Sequence, residues 1–404
     1  METEGGGEAR ITVRHTGRYA EFMEESCCSK FMGPNPSLAR FVYGLIFLAT
    51  NLLAWAVRDY GRTALSDLKR LKGCKGARDC LGTEGVLRIS FGCFIFFFTM
   101  FLTTVGSRKL NEPRDSWHCG WWPAKIILWI ATMTLPFVVP SAFIHLYGEI
   151  AHFGAGIFLV IQLISVVSFI TWLNDCCYSE RYANRCRLQF LILSVAAYFT
   201  SILGIVLMYI WYAPKPSCKL NIFFITWTLV LIQVMTFISV HSMIKAGFLA
   251  PGLMGMYLVF MCWCAVRSEP RTEICNKKAD DATKSDWLTI TSFVIALLAI
   301  VIATFSAGVD SRSFQFKKKQ TQSEDDVPYG YGFFHFVFAM GAMYFGMLFI
   351  GWNMHHTMKN RWTMDVGWTS TWVRIVNEWL AACFYIWMLV VPLIWKNGWR
   401  PEST

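Results

Sequence analysis

The sequence predicts an all-α, polytopic transmembrane protein of about ten spans. Of its 404 residues, 55% are hydrophobic and 16% are charged, whereas soluble domains carry roughly a quarter charged residues. Apolar runs of about 20 residues, long enough to cross a bilayer as helices, recur along the whole chain. These runs do not alternate between apolar and polar residues, so a membrane β-barrel is not expected.

The apolar runs divide the chain into a polar N-terminal tail (1–37), a membrane domain (38–395) and a short C-terminal tail (396–404). The N-terminal tail has no apolar core with a cleavage site, so we expect the first run to be an uncleaved anchor. Residues 145–152, which separate the third and fourth runs, form either a tight hairpin or part of one longer helix. The predicted spans lie near 38–57, 85–105, 124–147, 151–173, 188–212, 220–242, 248–266, 287–308, 332–352 and 371–395.

The formal net charge of +10 does not indicate a nucleic-acid-binding protein. The basic residues are scattered over short loops between apolar runs, a distribution that suits lipid headgroups. We expect no enzyme and no cofactor, because no nucleophile elbow, P-loop or dinucleotide-binding motif occurs in a suitable context.

Charge does not indicate the orientation of the chain, because Lys and Arg are nearly balanced between the two sides of the membrane. The cysteines do indicate an orientation. Four loop cysteines fall on one side, which we expect to be lumenal or extracellular because disulfides persist there; three pairings remain open. Adjacent cysteine pairs on the other side are palmitoylation candidates. Both patterns place the termini in the cytosol, and free thiols throughout are the alternative. The disulfide candidates are Cys74, Cys80, Cys218 and Cys275, and the palmitoylation candidates are Cys27, Cys28, Cys176 and Cys177.

Three polar residues, His145, Glu149 and His152, would share one face of a helix. Imidazole and carboxylate suit zinc, but no fourth ligand is evident and the spacing is not that of a metalloprotease, so no metal site is expected. A proton- or ion-handling site is a second interpretation. The preferred interpretation is three polar groups at a membrane boundary, in contact with headgroups and water.

The fourth span carries a slanting stripe of polar residues, because steps of three drift around a helix with 3.6 residues per turn. The stripe could line a path for polar headgroups, or it could hydrogen-bond neighbouring helices. Its members are Gln162, Ser165, Ser168 and Thr171.

Other polar residues are expected to have structural roles. Arg374 and Glu378 stand one turn apart, so we expect them to neutralise each other. His335 either meets headgroups or, as we prefer, anchors its helix by hydrogen-bonding a neighbour. Arg88 and Lys125 are expected to extend to headgroups. Small residues should let helices approach closely; they include Gly154, Gly156, Gly341 and Gly346.

The run Tyr329-Gly-Tyr-Gly-Phe-Phe-His-Phe336, followed by Trp352-Asn353, resembles the Tyr-Ser-Tyr-Ser-Phe-Phe-His-Phe signature of the serine incorporator (SERINC or TMS) family. Further resemblances to the family follow in order along nearly the whole chain. They are Ile161-Gln-Leu163, Asn174-Asp175, Tyr212 to Cys218, Glu269-Pro270 with Cys275, and Thr371 to Pro392.

The resemblance implies two helical bundles divided by a long, strongly tilted helix, which here would be the fourth span. Members of the family are proposed to aid the incorporation of serine into phosphatidylserine and sphingolipids. Some move phospholipids between leaflets without ATP, and some form homo-oligomers. Membrane phospholipids are therefore the expected partners, and the endomembrane system (ER or Golgi) or the plasma membrane is the expected location. A carrier for serine or another small polar solute, or a scaffold for lipid-synthesising enzymes, is the alternative.

One departure from the family bears on the stripe. Many relatives have an acidic residue where this chain has Ser168. A role that depends on charge at that position is therefore not carried over to this chain.

Overall fold

In the computed structural model, helices build the protein. The structure describes residues 36–60, 78–110, 112–178, 180–241, 244, 247–270, 275, 287–309, 327–352 and 366–398. Within these ranges there are 11 helices. They are α1 (Pro36–Tyr60), α2 (Arg78–Thr104), α3 (Pro113–Cys119), α4 (Trp122–Val138), α5 (Ser141–Tyr178), α6 (Glu180–Tyr212), α7 (Lys219–Val240), α8 (Leu249–Arg267), α9 (Trp287–Val309), α10 (Tyr331–Ile350) and α11 (Trp368–Gly398).

Nine of the ten predicted apolar runs each overlap one long helix, whereas the third covers α4 and the first turns of α5. Helix α3 is an additional short helix. By length and composition, 8 of the described helices could cross a membrane, or up to 9 if α3 and α4, which meet at a bend of 70°, form one span. The described apolar part of α9, Leu297–Val309, is shorter than the others. The prediction of an all-helical, polytopic membrane protein is confirmed.

The boundary predicted between the third and fourth spans was wrong. Helix α4 ends at Val138 and α5 begins at Ser141, so residues 145–152 lie inside α5. Val139 has an extended backbone, with φ −73° and ψ 139°, because the ring of the proline after it disfavours the helical conformation. The alternative interpretation, one longer helix, is confirmed: α5 has 38 residues. Its length is about 57 Å, well beyond the roughly 30 Å of bilayer hydrocarbon.

A buried ion pair on α2 holds the junction between α4 and α5. Nε and Nη2 of Arg88 both donate to Oε1 of Glu84, one turn earlier. Nη1 of Arg88 donates to the carbonyls of Pro136 and, at 2.8 Å, Val139, and Glu84 accepts from the Ser141 hydroxyl at 2.6 Å. The prediction that Arg88 extends to headgroups was wrong, because its buried guanidinium instead satisfies the last carbonyls of α4.

Two separate hydrophobic cores divide the helices into two bundles. The first core is formed by α1, α2, α4, α9, α10 and the first half of α5. The second is formed by α6, α7, α8, α11 and the second half of α5. The change occurs within one turn of α5, since Ile161 belongs to the first core and Leu163 to the second. The long helix is therefore shared by both bundles, as the resemblance implies.

Helix α10 is the centre of the first bundle, and nearly all of its side chains are buried. Neighbouring helices approach it at glycines. A Cβ added at Gly341 would lie 2.9 Å from Thr304 Cγ2, and one at Gly346 would lie 2.6 Å from Ser90 Oγ. Such close packing matters because lipid gives apolar side chains no hydrophobic reason to associate.

The predicted close approach is also found at Gly154 of α5, where an added Cβ would overlap Met343 of α10. It was wrong for Gly156, which has nothing within 4 Å of an added Cβ. The two glycines lie on different sides of α5, and only the first faces α10.

Candidate functional site

The predicted polar stripe lies where α5 passes from the first core to the second. Gln162, Ser168 and Thr171 are half-buried, whereas Ser165 is 8% exposed. Thr171 donates its hydroxyl to the carbonyl of Val167 in the same helix, at 2.9 Å. The Ser165 hydroxyl oxygen is buried without a hydrogen-bond partner, which is uncommon in folded proteins.

Apolar side chains flank the stripe on both sides. Val160, Phe169 and Trp172 face outward, with 46%, 58% and 59% of their surfaces exposed. Leu163 and Val167 face inward and belong to the second core. The stripe is therefore a line of hydroxyl and amide groups between a packed core and an apolar outer surface. Such groups can donate hydrogen bonds to a polar headgroup and accept hydrogen bonds from it.

The structure separates the cluster of His145, Glu149 and His152. His145 and Glu149 are exposed on α5, while His152 is half-buried and faces α10. Nδ1 of His152 lies 2.9 Å from the carbonyl oxygen of Gly148, and Nε2 lies 3.2 Å from that of Trp352, just beyond α10. A neutral imidazole carries one N–H, so it donates to one carbonyl at a time. His152 thus contacts backbone rather than the other two side chains.

His335, in the first turns of α10, pairs with a second histidine. Its Nε2 lies 3.0 Å from Nδ1 of His118 on α3, and Nε2 of His118 lies 2.9 Å from the Tyr329 hydroxyl. The His118 ring also stacks on Tyr331, with ring centroids 3.9 Å apart. The His335 side chain is fully buried, which agrees with the structural interpretation and not with headgroup contact.

The hydrogens of this pair follow from its partners. Nδ1 of His335 is buried without a hydrogen-bond partner. Because buried N–H groups without an acceptor are rarer than unfilled lone pairs, we place the His335 proton on Nε2, which donates to His118. The Nε2–H of His118 then donates to Tyr329. Burial raises the pKa of the Tyr329 phenol well above its ordinary value, so this hydroxyl stays neutral and can accept.

Three more side chains complete this buried polar cluster. Tyr331 donates its hydroxyl to Asp115 at 2.7 Å. The carbonyl oxygen of His118 accepts from the Tyr43 hydroxyl at 3.0 Å and from the Lys125 ammonium at 2.8 Å. Hydrogen bonds therefore tie α3 to α1, α4 and the start of α10.

Lys125 is buried, so the prediction that it extends to headgroups was wrong. Its ammonium nitrogen lies 4.3 Å from the ring centroid of Trp122 and 5.3 Å from that of Tyr43. Cation–π contacts and one carbonyl replace water around the charge. Sequence reasoning missed this cluster because residues 112–122 have the composition of an ordinary loop. The sequence does contain one signal that could have predicted these helices, a proline in the first turn of both α3 and α4.

Arg374 and Glu378 do not form the predicted pair across one turn of α11. Oε1 of Glu378 lies 2.7 Å from the Thr228 hydroxyl oxygen on α7, and Oε2 has no hydrogen-bond partner. Arg374 is half-buried and lies near Tyr257 of α8. The spacing allows the ion pair, but α7 packs against α11 and places the Thr228 hydroxyl beside Glu378 instead.

A disulfide joins Cys218 to Cys275 and links the segment before α7 to the segment after α8. This bond selects a partner for two of the four predicted cysteines. The remaining cysteine predictions lie outside the residues or side chains that the structure describes: Cys27, Cys28, Cys74, Cys80, Cys176 and Cys177.

Comparison with known proteins shows similarity to one family across most of the chain. The family model "Serine incorporator (Serinc)" matches residues 17–326 and 310–398. These matches span both bundles and the long helix between them.

Individual relatives with serine incorporator or TMS names match this chain at low sequence identity. "Serine incorporator 3" of Bos taurus is 24% identical over 453 residues, covering 92% of this chain and 94% of the relative. "Probable serine incorporator" of Dictyostelium discoideum is 25% identical over 342 residues, covering 78% and 81%. "Membrane protein TMS1" of Saccharomyces cerevisiae is 25% identical over 326 residues, covering 76% and 67%.

Proposed function

The chain belongs to the serine incorporator family, and from that premise we propose that it moves phospholipids between membrane leaflets without ATP. The observation that carries this proposal is the course of α5. Where this helix passes from one core to the other, it presents a polar stripe beside an apolar outer surface.

The proposed mechanism is a groove that shields the headgroup. A phospholipid crosses slowly by itself because its headgroup loses water in the hydrocarbon, which costs several kcal/mol for each unsatisfied polar group. Gln162, Ser165, Ser168 and Thr171 supply hydrogen bonds in place of that water while the acyl chains stay in the bilayer. Gln162, Ser168 and Thr171 are half-buried and lie nearer the surface, whereas the Ser165 hydroxyl lies deeper and has a free hydrogen-bonding capacity for a headgroup that enters between the helices.

We also propose serine-derived lipids, phosphatidylserine and sphingolipids, as the lipid class and the cytosol as the location of the termini. The names of the relatives, which refer to serine incorporation, support the first point. The Cys218–Cys275 disulfide supports the second, because disulfides persist in oxidising compartments and these loops would then be lumenal or extracellular.

Reconstitution in liposomes tests the proposal. The purified chain is inserted into vesicles that carry a trace of fluorescent phosphatidylserine, and a membrane-impermeant quencher is added outside. We expect the signal to fall beyond the outer-leaflet fraction without ATP. A fall equal to that of protein-free vesicles would contradict lipid movement. Uptake of radiolabelled serine into the same vesicles would favour the alternative, a serine carrier.

A matched pair of variants tests the stripe. Gln162→Leu with Ser165→Ala removes two polar groups, and alanine avoids crowding at the buried position. Val160→Leu with Phe169→Leu changes the exposed apolar face of the same helix. We expect the first variant to slow lipid movement several-fold and the second to leave it unchanged. Equal rates in both variants would remove the stripe from the mechanism.

A further inference from the structure

Glu378 is a fully buried carboxyl group in the second bundle, well inside α11. Oε2 of Glu378 has no hydrogen-bond partner. Among the described side chains, no Lys, Arg or His forms an ion pair with it. An ionised carboxylate in such a place is costly, because burial removes it from bulk water and no such cation pairs with it.

The contacts of Thr228 bear on whether Glu378 carries this charge. Oγ1 of Thr228 lies 2.7 Å from Oε1 of Glu378 and 2.9 Å from the carbonyl oxygen of Phe224. A hydroxyl carries one hydrogen, so it cannot donate to both oxygens. If Thr228 donates to the Phe224 carbonyl, the hydrogen in the 2.7 Å contact must come from Glu378.

We propose that Glu378 is a proton-binding site inside the membrane, which carries a proton on Oε1 and donates it to Thr228. The hydrogen bonds then run in one direction, from Glu378 Oε1–H to Thr228 Oγ1 and from Thr228 Oγ1–H to the Phe224 carbonyl. Oε2 becomes the carbonyl oxygen of a neutral acid, for which a missing partner costs far less than for an anion. This site does not depend on lipid movement.

The surroundings of Glu378 offer little to stabilise a charge. From α8, the buried thiol of Cys262 faces it. From α7 it meets the Thr228 hydroxyl, and the part of α5 in this core contributes apolar Leu163, Val167 and Ile170. On α11 itself, Arg374 lies one turn away and is near Tyr257 of α8. The bound proton therefore joins α11 to α7, and its loss would leave an anion between the two helices.

Infrared spectroscopy tests the proton directly. The purified protein at neutral pH should show the carbonyl-stretch band of a protonated carboxylic acid, and Glu378→Gln should lose that band. Loss of an ionised carboxylate band in this variant would overturn the proposal, as would the absence of any acid band in the wild-type protein.

Thr228→Val keeps the test decisive if Glu378→Gln does not fold. Removal of the hydroxyl that accepts from Glu378 should shift the acid band, and Thr228→Ser should restore its position. The matched control is Thr304→Val, since Thr304 is also a buried threonine and donates to the carbonyl of Ile300 in its own helix. A band that moves equally in Thr228→Val and Thr304→Val would contradict the contact.

Thermal unfolding gives an independent measurement. The native state holds a proton that the unfolded chain releases at neutral pH, so a rise in pH favours unfolding. The melting temperature of the wild-type protein should therefore fall, relative to Glu378→Gln, as pH rises from mildly acidic to mildly alkaline. A constant difference between the two proteins would overturn the proposal.

Discussion

Nδ1 of His118 lies 3.0 Å from Nε2 of His335, although 217 residues separate them in the sequence. The contact ties the seven-residue helix α3 to α10, the central helix of the first bundle. Both rings are fully buried, so no water competes for the bond. The buried residues of α3, Asp115, His118 and Cys119, are thereby part of the packed interior.

The His118–His335 contact should stabilise the first bundle. His335→Phe keeps a ring of similar size but leaves Nδ1 of His118 without its donor. We expect the free energy of unfolding to fall by about 1–3 kcal/mol, because a buried polar atom loses its partner. Thermal unfolding in detergent measures this change. The control is His145→Phe, which alters an exposed histidine on α5; equal melting temperatures for the two variants would contradict the expectation.

The ion pair of Glu84 and Arg88 should respond differently to single and double substitution. Arg88→Met leaves a buried carboxylate without its cation and should cost about 3–5 kcal/mol. Glu84→Gln with Arg88→Met should cost less than the sum of the single changes, because neither charge is then stranded. A double-mutant cycle of unfolding free energies checks this. Arg108→Met, at an exposed arginine, is the control, and strictly additive effects would show that the pair is not coupled.

Two glycines provide a matched test of helix contact. A Cβ at Gly92 of α2 would lie 2.5 Å from the Thr132 carbonyl oxygen and 3.1 Å from Met133 Cα, both backbone atoms of α4. Gly92→Ala should therefore force the helices apart and cost about 1–3 kcal/mol. Gly156→Ala should be neutral or slightly stabilising, because the space is open and alanine favours the helix. The melting temperatures of the two variants test this prediction. A lower melting temperature for Gly156→Ala than for Gly92→Ala would contradict the close contact between α2 and α4.

The Cys218–Cys275 bond closes a loop with a sequence separation of 57 residues. In the chain-entropy treatment, a bond that closes a loop of this length stabilises a protein by about 4 kcal/mol. Cys218→Ser should lower the melting temperature under non-reducing conditions, whereas Cys383→Ser, at an exposed free cysteine, should not. Peptide mass spectrometry without reduction should recover the linked pair. Recovery of both cysteines alkylated would exclude the bond.

The class of protein and the number of long helices were predictable from sequence, because both depend on local composition. A run of about 20 apolar residues must be a helix in lipid, whatever surrounds it, since its backbone has no other hydrogen-bond partner. The division of α4 from α5 was also encoded locally, by Pro140. The prediction placed it too far along the chain because residues 145–152 contain polar groups, which the 38-residue helix α5 nevertheless includes.

The partners of polar side chains required the tertiary structure. Sequence spacing predicted an ion pair between Arg374 and Glu378. The hydrogen-bond partner of Glu378 is instead the hydroxyl of Thr228, 150 residues away. Lys125 and Arg88 lie near the predicted starts of apolar runs, where long basic side chains often extend to headgroups. In the structure, each is buried against groups from other helices. Hydropathy is a property of each segment by itself, whereas a hydrogen bond between spans depends on which faces the packed helices turn toward each other.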